Sequence, residues 1–302
     1  MTFGVLLMIN AISGDLDFIK EINNSKFTGS VHSTFNRTFN IKCFENGDLF
    51  TIACRKLDNG PNTLIVNADN MKSRKIEVND PVRVMKDLMF IGEKLAISID
   101  KVDIWESVLP AYPSNEEILK RNVIKMKEYL NLHGVDGGMK KNVVTQNPFE
   151  AEVSNMLEKR TNLLLNELIN DRISTALPHA ISLVGLGAGL TPSGDDFLTG
   201  LFTVFNMKNS LFYPYRSFCE DVLKKAKTLT NEISYMALKK AANGKVRESI
   251  ISLLNSLLVE DDQNLILSLN KLLNIGSTSG TDIAYGIVFG MESTIRAGGK
   301  VC

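Results

Sequence analysis

A chain of 302 residues with 34 Lys+Arg against 34 Asp+Glu has no formal net charge. That removes the global electrostatic signature of a binder of nucleic acid or anionic membrane. Hydrophobic residues at 44% and charged residues at 23% give a globular balance, and at about 100–200 residues per domain the length predicts two domains. No run approaches the roughly 18 apolar residues of a membrane-spanning helix.

The opening run "MTFGVLLMINAISGDLDF" lacks a positive n-region and is interrupted by Asp15 and Asp17. It reads as the edge of a core element rather than a signal peptide. Residues 27–105 have β character. "FNIKCFENGDLFTIAC" reads as two strands around an Asn46-Gly47 turn, "DNGPNTLIV" as a turn and an apolar strand. Further on, Val82, Val84, Leu95, Ile97 and Ile99 alternate with polar residues. Short strands with turns this close together predict a small β-barrel or sandwich, with Trp105 closing its core. A two-residue Asn-Gly turn sets Cys43 opposite Phe50 and away from Cys54. The four cysteines (Cys43, Cys54, Cys219, Cys302) have no CxxC pairing, so no disulfide and a cytoplasmic location are expected. His32, His133 and His179 have no zinc-ligand spacing.

The pattern changes near Ser114. Ser114 and Glu117 stand in capping-box spacing before an apolar stripe of Ile118, Val123, Met126 and Leu130, and Gly134 ends it. "GVDGGMKKNVVTQ" reads as a flexible connection, and Asn147-Pro148 as the cap and first turn of a long helix. Helices are expected at 149–172, 195–207, 214–228, 231–242, 246–258, 262–274 and after 281. The expected architecture is α+β: a β-rich domain over 1–112 and an α-helical domain over 113–302.

One motif occurs twice. "SGDDFLTGLF" begins at Ser193 and "SGTDIAYGIV" at Ser279, both reading Ser-Gly-x-Asp-apolar-x-x-Gly-apolar. Each follows a Gly-rich loop and opens an apolar helix. A helix start leaves N–H groups unpaired and carries partial positive charge. Ser193 and Ser279 are placed to cap or to donate to an anion, and Gly194 and Gly280 admit close approach. Gly200 and Gly286 sit inside apolar helices, where glycine costs about 1 kcal/mol relative to alanine. Close contact between the helices would offset that cost and bring both loops to one pocket. Capping alone requires neither the alternating glycines of "GLGAGLTPSGDD" nor its adjacent aspartates. The residues assigned to an anion are therefore Gly187, Gly189, Thr191, Ser193, Gly194, Ser279 and Gly280. Asp195, Asp196 and Asp282 would repel that anion unless they bind Mg²⁺ or accept from an amide or ureido NH₂. Ser234 points toward this site in one reading and belongs to a helix start capped by Thr230 in the other. Arg55 and Arg247 are the candidate carboxylate binders without a predicted location. No lysine follows the glycines, which excludes a Walker A loop, and no His or Cys in either loop supports a nucleophilic triad.

"GLGAGLTPSGDDFLTG" resembles the signature of the AllH-like proteins. The likeness extends through "TLTNEISYMALKKAANGKVRE" and "LLNIGSTSGTDIAYGIVFG", and more weakly through "GSVHSTFNRTFNI" and "DNGPNTLIV". The resemblance implies a subunit of an oxamate carbamoyltransferase working with partner subunits in allantoin and purine breakdown, with oxalurate and phosphate giving oxamate and carbamoyl phosphate. It also implies that His32 and Ser33 of the β domain face the pocket. The departure is at Gly276-Ser277-Thr278-Ser279-Gly280, where the family often has histidine at the second position. On this reading the helix starts hold phosphate or carboxylate, and Asp195, Asp196 and Asp282 position the carbamoyl NH₂ or a Mg²⁺. A non-catalytic small-anion-binding subunit and a Mg²⁺-dependent hydrolase of a phosphate or glycosyl ester are the alternatives, and homo-oligomerisation stays open.

Overall fold

In the N-terminal unit, Met1–Ser107, strand alternation closes on itself. The computed structural model describes residues 6–24, 27–141 and 147–299. Here β1 (Leu7–Asp15) leads into α1 (Leu16–Asn24), followed by β2 (Thr28–Thr34), β3 (Thr38–Cys43), β4 (Leu49–Cys54), β5 (Thr63–Val66), β6 (Pro81–Met85), β7 (Leu88–Ile91), β8 (Leu95–Ser98) and β9 (Asp103–Trp105). The sheet order is β5-β4-β3-β2-β6-β7-β8-β1-β9, and a further β5–β1 pairing closes eight strands into a barrel. Closure removes the exposed edges of a small sheet. Neighbours are antiparallel except β1–β8, β1–β9 and β4–β5. Phe39, Ile41, Ile52, Leu64, Met89 and Ile97 fill the interior. The short helix α1, which the sequence reading lacks, adds Phe18, Ile19 and Ile22 to this core. The Phe18 ring lies 4.5 Å from that of Phe50.

Two local expectations are corrected. The β3–β4 hairpin pairs Lys42 with Leu49 and Ile41 with Phe50, so the loop is longer than Asn46-Gly47 and Cys43 does not face Phe50. Trp105 ends the β9 strip beside β1, half-buried and outside the barrel core. Cys43, Cys54 and Cys219 are buried free thiols; Cys302 lies outside the described residues.

The second unit, Val108–Cys302, is helical. It comprises α2 (Glu117–His133), α3 (Pro148–Ile169), α4 (Ile173–Leu183), α5 (Ser193–Phe205), α6 (Arg216–Ala226), α7 (Glu232–Ala242), α8 (Glu248–Leu257), α9 (Asp262–Leu273) and α10 (Ser279–Gly298). Asn147 caps α3 through Phe149 N–H, as its sequence predicts. The Ser114/Glu117 capping box does not form; Glu117 N–H is taken by the side chain of Asn115 instead. Helix α4 is absent from the sequence reading because Pro178 lies inside it, where proline removes a backbone donor.

Helix α5 is buried along its whole length and crosses α10 at glycine. A Cβ on Gly200 would overlap the Ile283 carbonyl oxygen and reach 3.0 Å from Gly286 Cα. A Cβ on Gly286 would overlap the Phe197 carbonyl oxygen and reach 3.0 Å from Gly200 Cα. Phe197 and Ile283 hold the same place in the repeated motif, so the crossing is locally two-fold symmetric. This is the contact expected from the two glycines. It gains dispersion and Cα–H···O interactions that offset their poor helix propensity.

Candidate functional site

The same symmetry governs the loops that enter the crossing helices. Gly194 N–H donates to the Leu186 carbonyl at 2.8 Å, and Gly280 N–H donates to the Ile275 carbonyl at 3.0 Å. A Cβ on Gly194 would overlap the Leu183 carbonyl at the end of α4, and one on Gly280 the Leu272 carbonyl in α9. The Thr191 and Ser279 hydroxyls share a hydrogen bond of 2.8 Å that joins the two loops. Neither serine caps its own helix: the caps are Pro192 and Thr278, and neither makes a side-chain cap bond. Each serine interacts instead with the aspartate of the other loop, Ser193 with Asp282 and Ser279 with Asp196.

Asp196 and Asp282 are the centre of this arrangement. Both are buried, and each leaves its Oδ2 without a hydrogen-bond partner. Burial pushes Asp196 up to about 7; the Asp282 charge adds to the rise, and the Ser279 and Thr191 hydroxyls oppose it. Burial likewise pushes Asp282 up to about 6, against the Met139 N–H and the hydroxyls of Ser193 and Thr278. Burial thus favours the protonated form of both carboxyls, and the Asp282 charge adds to that preference at Asp196.

Asp195 belongs to a neighbouring latch. Its Oδ1 accepts from Gly185 N–H at 2.8 Å and its Oδ2 from the Thr230 hydroxyl. The buried Ser234 hydroxyl also favours its anion, while burial raises its pKa overall. Asn231, not Thr230, caps α7, accepting from Ile233 and Ser234 N–H. Asn231 Nδ2 also donates to the Leu190 carbonyl at 2.7 Å. The start of α7 thus clamps the glycine loop, in which Gly185, Gly187 and Gly189 adopt positive φ. Asn231→Ala is expected to lower stability by about 1–2 kcal/mol. It should also speed hydrogen exchange across 185–191 relative to the rest of the unit; unchanged exchange there would show that the clamp has no effect.

A segment read from the sequence as a flexible connection completes the site. Val135 N–H donates to Thr281 Oγ1 at 2.9 Å and Met139 N–H to Asp282 Oδ1 at 2.6 Å. Residues 134–141 therefore dock on the first turn of α10; residues 142–146 of that connection lie outside the described residues. The only sequence signal was the Gly137-Gly138 pair.

The helix starts are less open to an anion than their sequence suggests. Leu186, Pro192 and Ile275 carbonyls already take the N–H groups of Gly194, Asp195 and Gly280. The Thr191 and Ser279 hydroxyls stand at the same loops, bonded to each other. Nor do the three aspartates fit Mg²⁺ as one set. Asp195 uses both oxygens within its latch, and among the described residues no group of three or more His, Cys, Asp or Glu is arranged to hold a metal ion.

His32 and Ser33 lie on β2 in the N-terminal unit. Thr51 donates to Asn40, Asn40 Nδ2 donates to Ser33 Oγ at 2.9 Å, and Ser33 Oγ is 3.1 Å from His32 Nδ1. They form a polar chain of their own within that unit. Arg55 pairs with Asp69 on the same unit.

Residues 183–291 match the family described as oxamate carbamoyltransferase subunit AllH, and residues 10–104 match the AllH family N-terminal domain. The chain belongs to the AllH family. The AllH match contains both glycine loops, helix α5, α10 as far as Met291, and the carboxyl pair. The AllH N-terminal match covers most of the barrel. Residues 105–182, including the docked segment at 134–141, lie between the two matches. No solved structure matches the chain.

Proposed function

We propose that this AllH-family chain is the subunit of an oxamate carbamoyltransferase that carries the proton-transfer groups of the reaction. Oxalurate and phosphate would give oxamate and carbamoyl phosphate, in the breakdown of allantoin and purines. A phosphate oxygen attacks the ureido carbonyl carbon of oxalurate. The carbon–nitrogen bond to the oxamate half breaks, and the leaving nitrogen takes a proton. A buried carboxyl near neutrality can give that proton, while its ionised neighbour takes the one displaced from phosphate. The pair begins and ends with one proton.

The observation that supports this reading is the Asp196–Asp282 pair, two buried carboxyls with one unpartnered oxygen each at the junction of two glycine loops. The Thr191 and Ser279 hydroxyls are the donors for an anionic group and for the oxyanion that develops at the carbonyl. Asp195 holds the glycine loop in place through Gly185 N–H and Thr230. Partner subunits follow from the family description, and His32 and Ser33 are assigned to substrate contact. Three buried free thiols suit a reducing compartment such as the cytoplasm. No helix among the described residues is long and apolar enough to cross a membrane.

The chain co-purified with its natural partner subunits is expected to form carbamoyl phosphate from oxalurate and phosphate. Asp282→Ala should lower that rate by about 10²–10⁴-fold. No turnover from the complete assembly, with ligand affinity unchanged in Asp195→Ala and Asp282→Ala, would overturn the assignment.

A further inference from the structure

The two halves of the site are near-copies, but they are not equivalent. In the first, the residue before the paired aspartate is Asp195, engaged by Gly185 and Thr230. In the second it is Thr281, engaged by Val135 N–H of the 134–141 segment. The next residue of that second half, Asp282, accepts Met139 N–H from the same segment. Among the described residues no backbone N–H reaches the carboxyl of Asp196, whose hydrogen-bonding partners are the hydroxyls of Ser279 and Thr191.

The segment is built for this approach. Gly137 N–H donates to the Lys140 carbonyl at 2.9 Å. Lys140 Nζ donates to the Gly134 carbonyl at 2.8 Å and pairs with Asp136 at 3.1 Å. The segment is thus a closed strap held at its base. At its tip, a Cβ on Gly138 would overlap both carboxylate oxygens of Asp282. Only a residue without a side chain lets the backbone lie there with Met139 N–H aimed at the carboxylate. A backbone donor favours the charged form of the acid that it touches.

We propose that the 134–141 strap breaks the symmetry of the carboxyl pair: its Met139 N–H holds Asp282 as the anion and leaves Asp196 as the protonated acid. Gly138 and Met139 are positioning residues, acting through Asp282. The charged and titratable groups around Asp282 are Asp136 and Lys140 on the strap, Tyr285 one turn along α10 and Asp196 on α5. Lys140 is committed to Gly134 and Asp136, and Tyr285 donates to Asn131, so Met139 N–H is the charge-selecting contact. Burial raises both acids, but only at Asp282 does a backbone donor, Met139 N–H, oppose the rise. The inference rests on the reading of these two residues as the acid–base pair, and it assigns the roles within it: Asp196 the acid, Asp282 the base.

The test is a pH titration of the full chain by NMR, following the side-chain carboxyl carbons and the Met139 amide, and it requires no turnover. Asp282 is expected to ionise at lower pH than Asp196, with the Met139 amide shift following the Asp282 step. Gly138→Ala should abolish that amide response and close the gap between the two acids. If Gly138→Ala does not fold, Lys140→Ala, which unlatches the base of the strap away from Asp282, should narrow the gap. Asp196 ionising first, a Met139 amide that ignores Asp282, or an unchanged gap in the folded variant would each overturn the proposal. Because none of these readouts uses carbamoyl transfer, a failure of the assigned reaction and a failure of the strap give different results.

Discussion

Asp196→Asn is expected to make the protein more stable at pH 8 while removing its proposed chemistry. The carboxyl of Asp196 is pushed from its ordinary value of 3.8 to about 7 by burial and by its neighbour Asp282. Between those two values the folded state binds a proton that the unfolded state has lost. This group's stabilising contribution is therefore complete below pH 4 and is lost as pH rises toward 7. Above pH 7 the fold carries an ionised, buried carboxylate at a cost on the order of 4 kcal/mol. Asparagine keeps the shape and cannot ionise. The variant should melt roughly 10 °C higher than the parent at pH 8, using about 2–4 °C per kcal/mol for a unit of this size. The advantage should vanish near pH 4. Asp282 keeps a smaller slope of its own that ends near pH 6. In the assembled enzyme the same substitution should lower carbamoyl transfer by about 10²–10⁴-fold. Melting curves at pH 4, 6 and 8 decide the stability half. A variant that is no more stable than the parent at pH 8 would mean that Asp196 is not held near neutrality. Stability gained with activity lost is the pattern of a site that keeps a strained charge for use.

Why some of this was legible in the sequence and some was not follows from where the information lies. Barrel strands announce themselves through side-chain alternation, and Val82, Leu95 and Ile97 are buried as their spacing requires. The closing β5–β1 pairing is carried by backbone groups and leaves no such trace. Helix α1 has nine residues, too few to stand alone in water, and exists because Phe18 and Ile22 fill the barrel. The carboxyl pair was legible because the motif was repeated, and because glycine at the same place in two apolar helices makes sense when the backbones touch. The strap was not legible. Its contacts run from the N–H groups of residues 135 and 139 to the side chains of residues 281 and 282, and a backbone donor has no residue type. The same holds for the glycine loops. Their N–H groups looked free for an anion, and the loops' own carbonyls take several of them.

Gly286→Ala should be among the most damaging methyl groups that can be added to the helical unit. Its Cβ would overlap the Phe197 carbonyl oxygen and press on Gly200 Cα at 3.0 Å. Both obstacles are backbone, so no rotamer change relieves them, and the helices must move apart. Helix α5 is buried on every side, so that movement propagates into a close-packed interior. A loss of more than about 4 kcal/mol is expected, enough to unfold the unit or to leave it with an expanded core. Gly200→Ala should behave the same way, because the crossing is two-fold symmetric. Two other glycines of α10 calibrate the effect. A Cβ on Gly290 would meet Val204 Cβ at 2.8 Å, a side-chain atom and not the backbone itself, so Gly290→Ala should overpack the contact at about 1–3 kcal/mol. Gly298 has nothing near it, and alanine there should be neutral or slightly stabilising by helix propensity. Denaturant melts of the three variants of α10 should therefore rank Gly286, Gly290, Gly298 from worst to best. A Gly286→Ala protein as stable as its parent would mean that the helices do not meet backbone to backbone. The carboxyl pair would then lose its frame as well, since Asp196 and Asp282 stand one turn before the two glycines and are brought together by that crossing.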